Sequence, residues 1–387
     1  MGITWKAKTC LIKRFGIGII LVVCWGPRVW GLNPDIPLHR CLLDQWDISN
    51  GILSNTILSL AQTPDGFLWI ATAKGLVRFD GLKFSSFDFA KTPEKTGSKT
   101  PIPDMLFVDK EGTLWIGSSE GLTSFRCQTG ELKTYTPAQG ITKDRIRCLK
   151  DDMHGNLWIS LWTGNVNRFS NGKFTIFPAG QGLADKKVNA IIEDRKGNLL
   201  FGTREHGVFV FREEKFFPYP ITGLGNATLI SMYEDDRGEL WIGTTNGLFR
   251  VTGAGTRVYT TGEGLSSNYI TGIMGDSDGN LWVGTLKGIH RIKKNPGGDF
   301  VVEGLLSPII IVCFWEDREK SVWVGTYDSG LKRLKEGRFT SYVPLDAFPE
   351  ENFLAAGEDR SGNTWLGTLS GKLFRCRGND LIEIIKP

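Results

Sequence analysis

Residues 277–292 read SDGNLWVGTLKGIHRI, and this stretch decides the fold. Asp278-Gly279 predicts a hairpin turn, because glycine supplies the positive φ that tight turns between strands require. In the strand that follows, Leu281–Thr285, side chains alternate between two faces, so Trp282 and Gly284 share one face. A second glycine turn and another apolar strand complete the stretch, which therefore predicts consecutive short antiparallel strands.

Eight copies of this pattern run through the chain, and each is centred on one anchor residue. The copies read PDGFLWIATAKGLVRF (64–79), KEGTLWIGSSEGLTSF (110–125), MHGNLWISLWTGNVNRF (153–169), RKGNLLFGTREHGVFVF (195–211), DRGELWIGTTNGLFRV (236–251), SDGNLWVGTLKGIHRI (277–292), REKSVWVGTYDSGLKRL (318–334) and RSGNTWLGTLSGKLFRC (360–376). The anchors are Trp69, Trp115, Trp158, Leu200, Trp241, Trp282, Trp323 and Trp365, spaced 46, 43, 42, 41, 41, 41 and 42 residues apart. A period near 40 residues made of short strands is typical of β-propeller blades. We therefore predict an all-β fold, a β-propeller of four-stranded antiparallel blades.

The number of blades in the ring is open to two interpretations. Two segments outside the eight copies, Cys41–Asp47 and Asp380–Ile385, are both candidates for an outer strand. We favour an eight-bladed ring, because an eighth blade left outside the ring would expose Trp365 and its apolar neighbours. The alternative is a seven-bladed ring that closes with Cys41–Asp47 and leaves one extra blade.

The anchor tryptophans are expected in the core rather than on a ligand-binding surface. The residue two positions after each anchor is always small, which lets a large ring and a small neighbour interdigitate between packed sheets. Leu200 is the exception among the anchors. It predicts a blade that is less completely filled, with Phe201 or Phe209 compensating nearby.

The N-terminal residues 1–31 are typical of a secretory signal peptide. Basic residues between Lys6 and Arg14 precede an apolar stretch, Phe15–Trp25, that is too short to span a bilayer as a helix. We therefore assign residues 1–31 to a signal peptide and 32–387 to a single β-propeller domain that is periplasmic or secreted. The alternative is a chain that this N-terminal segment anchors to the inner membrane.

Composition argues against several classes of function. Five of the 46 basic residues and none of the 42 acidic ones lie in 1–31, so the remainder carries 41 basic against 42 acidic residues. A near-neutral propeller is not expected to bind nucleic acid, which needs a basic face. Neither the cysteines nor the four histidines have the spacing of metal ligands, so we expect no metal and no cofactor.

The eight copies, preceded by QWDISNGILSN at residues 45–55, closely resemble the two-component regulator propeller repeat. The resemblance covers essentially all of residues 41–387. It implies the extracytoplasmic sensor region of hybrid histidine kinases and related diguanylate-cyclase receptors, in which a β-sandwich, a membrane helix and a signalling module follow the propellers. The sequence contains no kinase or cyclase segment, so we expect a receptor part without an effector module, and a truncated receptor is one interpretation.

Departures from the repeat consensus point to a ligand site at the turns between second and third strands. Same-position turns of all blades surround one axis in a propeller, so distant sequence positions can share one pocket. The ligand-binding candidates are Lys74, Trp162, Arg204, Glu205, His206, Lys287, Tyr327 and Asp328. Trp162 and Tyr327 are suited to stacking on a ring, and Arg204 and Lys287 to holding a carboxylate or sulfate. We expect these turns to converge on one pocket with a positive rim.

The preferred function is an extracytoplasmic propeller that senses or binds a ligand without catalysis. The ligand is unknown, and a glycan or an anionic small molecule fits the candidate residues. A signalling protein is a further expected partner, and no membrane span is expected in the mature chain. Two alternatives stay open, a scaffold that binds only protein and a propeller lyase similar to antibiotic-cleaving lyases.

Overall fold

The computed structural model describes residues 32–34, 37–38, 41–89, 101–178, 183, 187–225, 227–294, 300–305, 308–336, 353–359, 364–368, 371–377 and 380–385. The assigned signal peptide, residues 1–31, lies outside the described residues. The described residues form eight four-stranded antiparallel sheets. Among them, no helix has the length and apolar character of a membrane span.

The strands follow the repeats in chain order, one sheet to each copy. The first strand among the described residues is β1 (Leu42–Trp46), and blade one contains β2 (Ile57–Gln62), β3 (Leu68–Thr72), β4 (Gly75–Phe79) and β5 (Phe84–Phe87). Blade two contains β6 (Pro103–Val108), β7 (Thr113–Ser118), β8 (Gly121–Arg126) and β9 (Glu131–Tyr135). Blade three contains β10 (Ile146–Asp151), β11 (Leu157–Leu161), β12 (Val166–Ser170) and β13 (Lys173–Phe177). Blade four contains β14 (Val188–Glu193), β15 (Leu199–Thr203), β16 (Val208–Arg212) and β17 (Lys215–Tyr219).

The later copies repeat this order. Blade five contains β18 (Leu229–Glu234), β19 (Leu240–Thr244), β20 (Gly247–Thr252) and β21 (Gly255–Tyr259). Blade six contains β22 (Ile270–Gly275), β23 (Leu281–Thr285), β24 (Gly288–Lys294) and β25 (Phe300–Leu305). Blade seven contains β26 (Ile311–Glu316), β27 (Val322–Thr326) and β28 (Leu331–Lys335). The eighth copy contains β29 (Phe353–Glu358), β30 (Thr364–Thr368), β31 (Leu373–Arg377) and β32 (Asp380–Ile385), and single 3-10 turns lie at Ile48–Asn50, Pro137–Gln139 and Thr261–Glu263.

The ring has seven blades, so the expected eight-bladed ring is wrong. β1 pairs with β28 along its whole length, from Leu42 opposite Lys335 to Trp46 opposite Leu331. The ring of Trp46 also stacks on the anchor Trp323 of blade seven, with 5.2 Å between ring centroids. The innermost strands contact one another in cyclic order, and β26 of blade seven packs against β2 of blade one.

The outer edge of blade seven decides this closure. β1 occupies that edge, which leaves no place in the ring for the eighth copy. The eighth copy forms a sheet of its own with β32 as its outer strand, and it needs no strand from the N-terminal side. The architecture is therefore the alternative that the sequence had left open, a seven-bladed ring with one extra blade.

Packing between neighbouring blades explains the anchor and its small neighbour. Six anchor tryptophans, in blades one to three and five to seven, are at most 7% exposed, which confirms these six as core, whereas Trp365 of the eighth copy is only half-buried. A Cβ added to Gly284 would lie 2.7 Å from Cγ2 of Ile311, the first residue of the next innermost strand. Gly325 stands in the same relation to Ile57 across the closure between blades seven and one, at 2.8 Å. Each buried anchor contributes about 2–3 kcal/mol from apolar burial.

Leu200, the exceptional anchor, packs between blades four and five. Its cluster contains Met232 and Leu240 of blade five, both buried. Phe201 and Phe209 belong to the cluster on the other side, between blades three and four. The expected compensation by these two rings is therefore wrong, because successive residues of a strand point to opposite faces of the sheet.

Candidate functional site

The sequence-predicted site residues all lie on turns between the second and third strands of their blades. The turns are those after β3 (Lys74), β11 (Trp162), β15 (Arg204, Glu205, His206), β23 (Lys287) and β27 (Tyr327, Asp328), and every one of these side chains is exposed. The innermost strand of each blade begins beside the turn. We call this side of the ring the mouth, and the side with the turns between first and second strands the opposite face.

Backbone hydrogen bonds fix these turns to the entry of the innermost strands. The amide N–H of Trp162 donates to the carbonyl oxygen of Arg145 at 3.1 Å, and that of Arg204 donates to the carbonyl of Lys187 at 2.8 Å. The N–H of Tyr327 donates to the carbonyl of Ile310 in the same way at 3.1 Å. The mouth is therefore built from two kinds of segment per blade, the turn and the entry segment.

At the mouth, two arginine side chains stack on the exposed ring of Trp162. Its ring is 40% exposed and carries the guanidinium of Arg147 at 4.5 Å and that of Arg145 at 5.3 Å from the ring centroid. Arg145 also reaches blade two, where its Nε and Nη2 donate to the carboxylate of Asp104 at 3.2 and 2.5 Å. This hydrogen-bonded ion pair raises the pKa of Arg145. A polar, aromatic surface thus joins blades two and three.

A β-bulge aims Arg147 at the mouth. The pairing of β10 with β11 skips one residue between Ile146 and Cys148, and Arg147 is the extra residue. A bulge redirects the side chain that it carries. Every innermost strand of the ring has its bulge at this position, and the bulged residues are Leu58, Asp104, Arg147, Asn189, Ile230, Thr271 and Val312. One side chain per blade is therefore set by the bulge at the mouth end of the ring.

Arg147 brings blade three into electrostatic contact with blade four. Burial lowers the pKa of Arg147, and the positive charge of Arg204 lowers it further. Its buried Nη1 has no hydrogen-bond partner among the described residues. Arg204 is paired only loosely with its exposed neighbour Glu205, at 3.6 Å. The guanidinium group of Arg204 is thus within electrostatic range of Arg147, which itself stacks on the exposed ring of Trp162.

The structure joins only part of the candidate set. Arg147 stacks on Trp162 and is within electrostatic range of Arg204, whereas Lys74, Lys287 and Tyr327 make no described contact with one another. Their convergence on one pocket stays a prediction. His206 uses its backbone N–H to bind Oγ1 of Thr203 at 3.2 Å.

Sequence reasoning missed Arg145, Arg147 and Asp104. They lie in strand entries rather than in the turns that the repeat consensus marked as variable. Only the bulge, which depends on pairing across two strands, turns Arg147 toward the mouth. The described residues contain no group of three His, Cys, Asp or Glu side chains that could hold a metal ion.

Four segments of the chain match the model of a known repeat family. Residues 51–74, 182–205, 223–246 and 264–287 match the family model described as two component regulator propeller. These segments lie in blades one, four, five and six, and each ends at or beside the turn between the second and third strands. A search of curated protein sequences finds no match for the chain.

Solved structures with the same fold include receptor domains and an enzyme. The extracellular domain of a hybrid two component system from B. thetaiotaomicron is 21% identical with a TM-score of 0.69, over 89% of this chain and 49% of that chain. That of a one component system from the same organism is 20% identical with a TM-score of 0.60, over 88% and 47%. Virginiamycin B lyase from Staphylococcus aureus is 13% identical with a TM-score of 0.60, over 76% and 99%. At these identities the likeness is one of fold, and the chain spans about half the length of the two receptor domains.

Proposed function

Because the chain carries two component regulator propeller repeats, we propose that it is an extracytoplasmic sensing propeller that binds a ligand at its mouth without converting it. The solved receptor domains with this fold are extracellular, which supports a place outside the cytoplasm for this chain. The basic and apolar N-terminal segment supports the same location. A signalling protein or a further receptor segment would receive the signal.

One observation carries the proposal, the half-buried guanidinium of Arg147, which stacks on Trp162 at 4.5 Å and lies within electrostatic range of Arg204. A guanidinium without a carboxylate partner, next to a second positive charge, is costly unless an anion neutralises it. The exposed indole of Trp162 offers a flat surface for a ring of the same ligand. The ligand class that fits is a small ring-containing anion, such as an acidic or sulfated sugar.

In the proposal, residues on the turns make further contacts with this ligand. Arg204 and Lys287 are the cations on turns of blades four and six, and Lys74 is the cation on blade one. In the proposal they attract the anion, while Tyr327 closes over its ring. The mature chain is near neutral, so this attraction is local to the mouth rather than a property of the whole surface.

A ligand screen with matched variants tests the function. Thermal shift with a set of carboxylated and sulfated sugars should find compounds that raise the melting temperature, because such ligands bind only the native state. Calorimetry should then show that Arg147→Ala with Arg204→Ala weakens binding at least about tenfold, as expected for lost charge-assisted hydrogen bonds. Arg126→Ala is the control, since Arg126 is exposed and pairs only with Glu131, at 3.6 Å, among the described residues.

Three outcomes would overturn the proposal. Binding that is equal in the double variant and in wild type would move the site away from Arg147. A screen in which only a protein stabilises the chain would favour the scaffold, and conversion of the bound compound into product would favour the lyase.

A further inference from the structure

Blade four lacks the indole that its neighbours place between blades, yet it keeps the group that would bind the indole N–H. In blade three, Oδ2 of Asp152 accepts hydrogen bonds from Nδ2 of Asn156 and Nε1 of Trp158, both at 2.8 Å. Blade six repeats this arrangement with Asp276, Asn280 and Trp282. The indole N–H of the anchor is thus one of two donors to a single carboxylate oxygen.

The same triplet in blade four is Asp194, Asn198 and Leu200. Oδ1 of Asp194 caps the turn, accepting the N–H groups of Lys196 at 2.9 Å and Asn198 at 2.7 Å. Oδ2 accepts Nδ2 of Asn198 at 2.7 Å. Among the described residues no second donor reaches Oδ2, because leucine at the anchor position has none. One acceptor site that blades three and six fill with an indole is left without its donor.

The ring that stacks on the anchor is also retained. The last residue of the outer strand packs against the anchor indole, as Phe177 does on Trp158 with 5.6 Å between centroids and Tyr259 on Trp241 with 5.8 Å. Tyr219 is the last residue of β17 and holds this position in blade four. Its ring therefore has an aliphatic neighbour, Leu200, where the equivalent rings have an indole.

A cleft lies at this place. It opens on the opposite face between blades four and five, has a volume of about 360 Å³ and is lined by Asp194, Leu200, Tyr219 and Leu240, with charged side chains at its rim. The corresponding cleft between blades five and six has about 300 Å³, and there the protein's own Trp241 forms a wall. Nε1 of Trp241 already donates to Asp235, at 3.1 Å. Of these two clefts, only the one at blade four combines the opening with the unfilled acceptor.

We propose that the cleft between blades four and five binds an indole ring, or a flat aromatic of similar size with a ring N–H. The ligand ring lies against Tyr219 and packs on Leu200 and Leu240. Its N–H donates to Oδ2 of Asp194. The ring replaces the side chain that blade four lacks. This site is on the opposite face from the mouth and does not depend on the function proposed there.

Two sources could supply such a ring, a free indole compound or a tryptophan side chain of a partner. The chemistry of recognition is the same for both. Indole itself is the probe for the first source, and N-acetyltryptophanamide is the probe for the second. Binding of indole alone assigns the cleft to a small molecule, and binding of both assigns it to a partner tryptophan.

Calorimetry tests the proposal by comparing indole binding to wild type and to a variant in which a tryptophan side chain occupies the cleft. Leu200→Trp supplies the missing ring from within the chain, so it should raise the melting temperature and weaken indole binding at least about tenfold. The control is Leu82→Trp, which places the same side chain at a residue that is 95% exposed and should leave indole binding unchanged.

Benzofuran tests the acceptor independently of any variant. It has the shape of indole without the N–H, so it should bind wild type about tenfold more weakly if Asp194 accepts the hydrogen bond. Equal binding of indole and benzofuran would remove Asp194 from the site. Undiminished indole binding in Leu200→Trp, or no binding of either probe to wild type, would overturn the proposal.

Discussion

The indole Nε1 of Trp282 donates a 2.7 Å hydrogen bond to Oδ2 of Asp276, six residues earlier in the chain. Oδ1 of the same carboxylate accepts the N–H groups of Asp278 and Asn280, which closes the hairpin turn. One side chain thus ties the turn, the first strand and the anchor together. The same indole contact recurs at Asp109, Asp152, Asp235, Asp317 and Asp359, so these carboxylates near the ends of the first strands have a structural role.

Asp152 and Asp276 play this role with opposite pKa shifts, which gives a test by pH. Burial raises the pKa of Asp276 above 3.8 in spite of its hydrogen bonds. Burial also raises the pKa of Asp152, but hydrogen bonds from Asn156 and Trp158 outweigh it, and the pKa falls below 3.8. Because the pKa of Asp152 is lowered, this group stabilises the fold at pH values above its pKa in the unfolded chain, and the stabilisation is lost as the pH falls. Because the pKa of Asp276 is raised, this group stabilises the fold at pH values below its pKa in the unfolded chain, and the stabilisation is lost as the pH rises.

Asparagine substitutions should therefore show opposite trends. Urea unfolding at about pH 7 and about pH 3 measures the loss of unfolding free energy relative to wild type. The loss caused by Asp152→Asn should shrink on acidification, whereas the loss caused by Asp276→Asn should grow. Parallel trends in the two variants would contradict the assigned shifts.

The stacking of Trp46 on Trp323 tests the seven-bladed closure. A double-mutant cycle with Trp46→Ala and Trp323→Ala should give a coupling free energy of about 0.5–1.5 kcal/mol, because the two rings are in contact. Trp46→Ala combined with Trp365→Ala should be additive, since Trp365 belongs to the sheet of the eighth copy. Coupling of Trp46 to Trp365 instead would restore an eight-bladed ring.

The repeats predicted the blades correctly but not the closure of the ring. Alternation around Trp282 and the glycine turns depend on local sequence, and the structure places these strands as expected. Closure depends on which outer edge β1 pairs with, and blades seven and eight offer similar edges in sequence. The site shows the same division. Trp162 stands out as an aromatic on a turn, whereas the bulge that turns Arg147 toward it is a property of two paired strands.

Trp241 and Trp162 should differ sharply in what they contribute to stability. Trp241 is 1% exposed at the interface of blades five and six, so Trp241→Ala should cost about 3–5 kcal/mol as a core truncation. Trp162 contacts mainly guanidinium groups on the surface, and Trp162→Ala should cost only about 0.5–1 kcal/mol. Urea unfolding of both variants measures the difference. Equal losses would mean that Trp162 belongs to the core rather than to the mouth.

We expect Arg147 to contribute to ligand binding but not to the free energy of unfolding. Burial and the positive charge of Arg204 lower the pKa of the Arg147 guanidinium, and its Nη1 lacks a partner among the described residues. Arg147→Met keeps an extended chain against Trp162 and removes the charge, so the variant should be as stable as wild type or more stable by up to about 1 kcal/mol. Arg126→Met, on an exposed side chain, should change the unfolding free energy by less than about 0.5 kcal/mol. The same Arg147→Met variant should lose the anionic ligand found in the screen. If Arg147→Met instead lowers the free energy of unfolding by more than about 1 kcal/mol, the guanidinium stabilises the fold. Its position in the mouth would then be explained without a ligand.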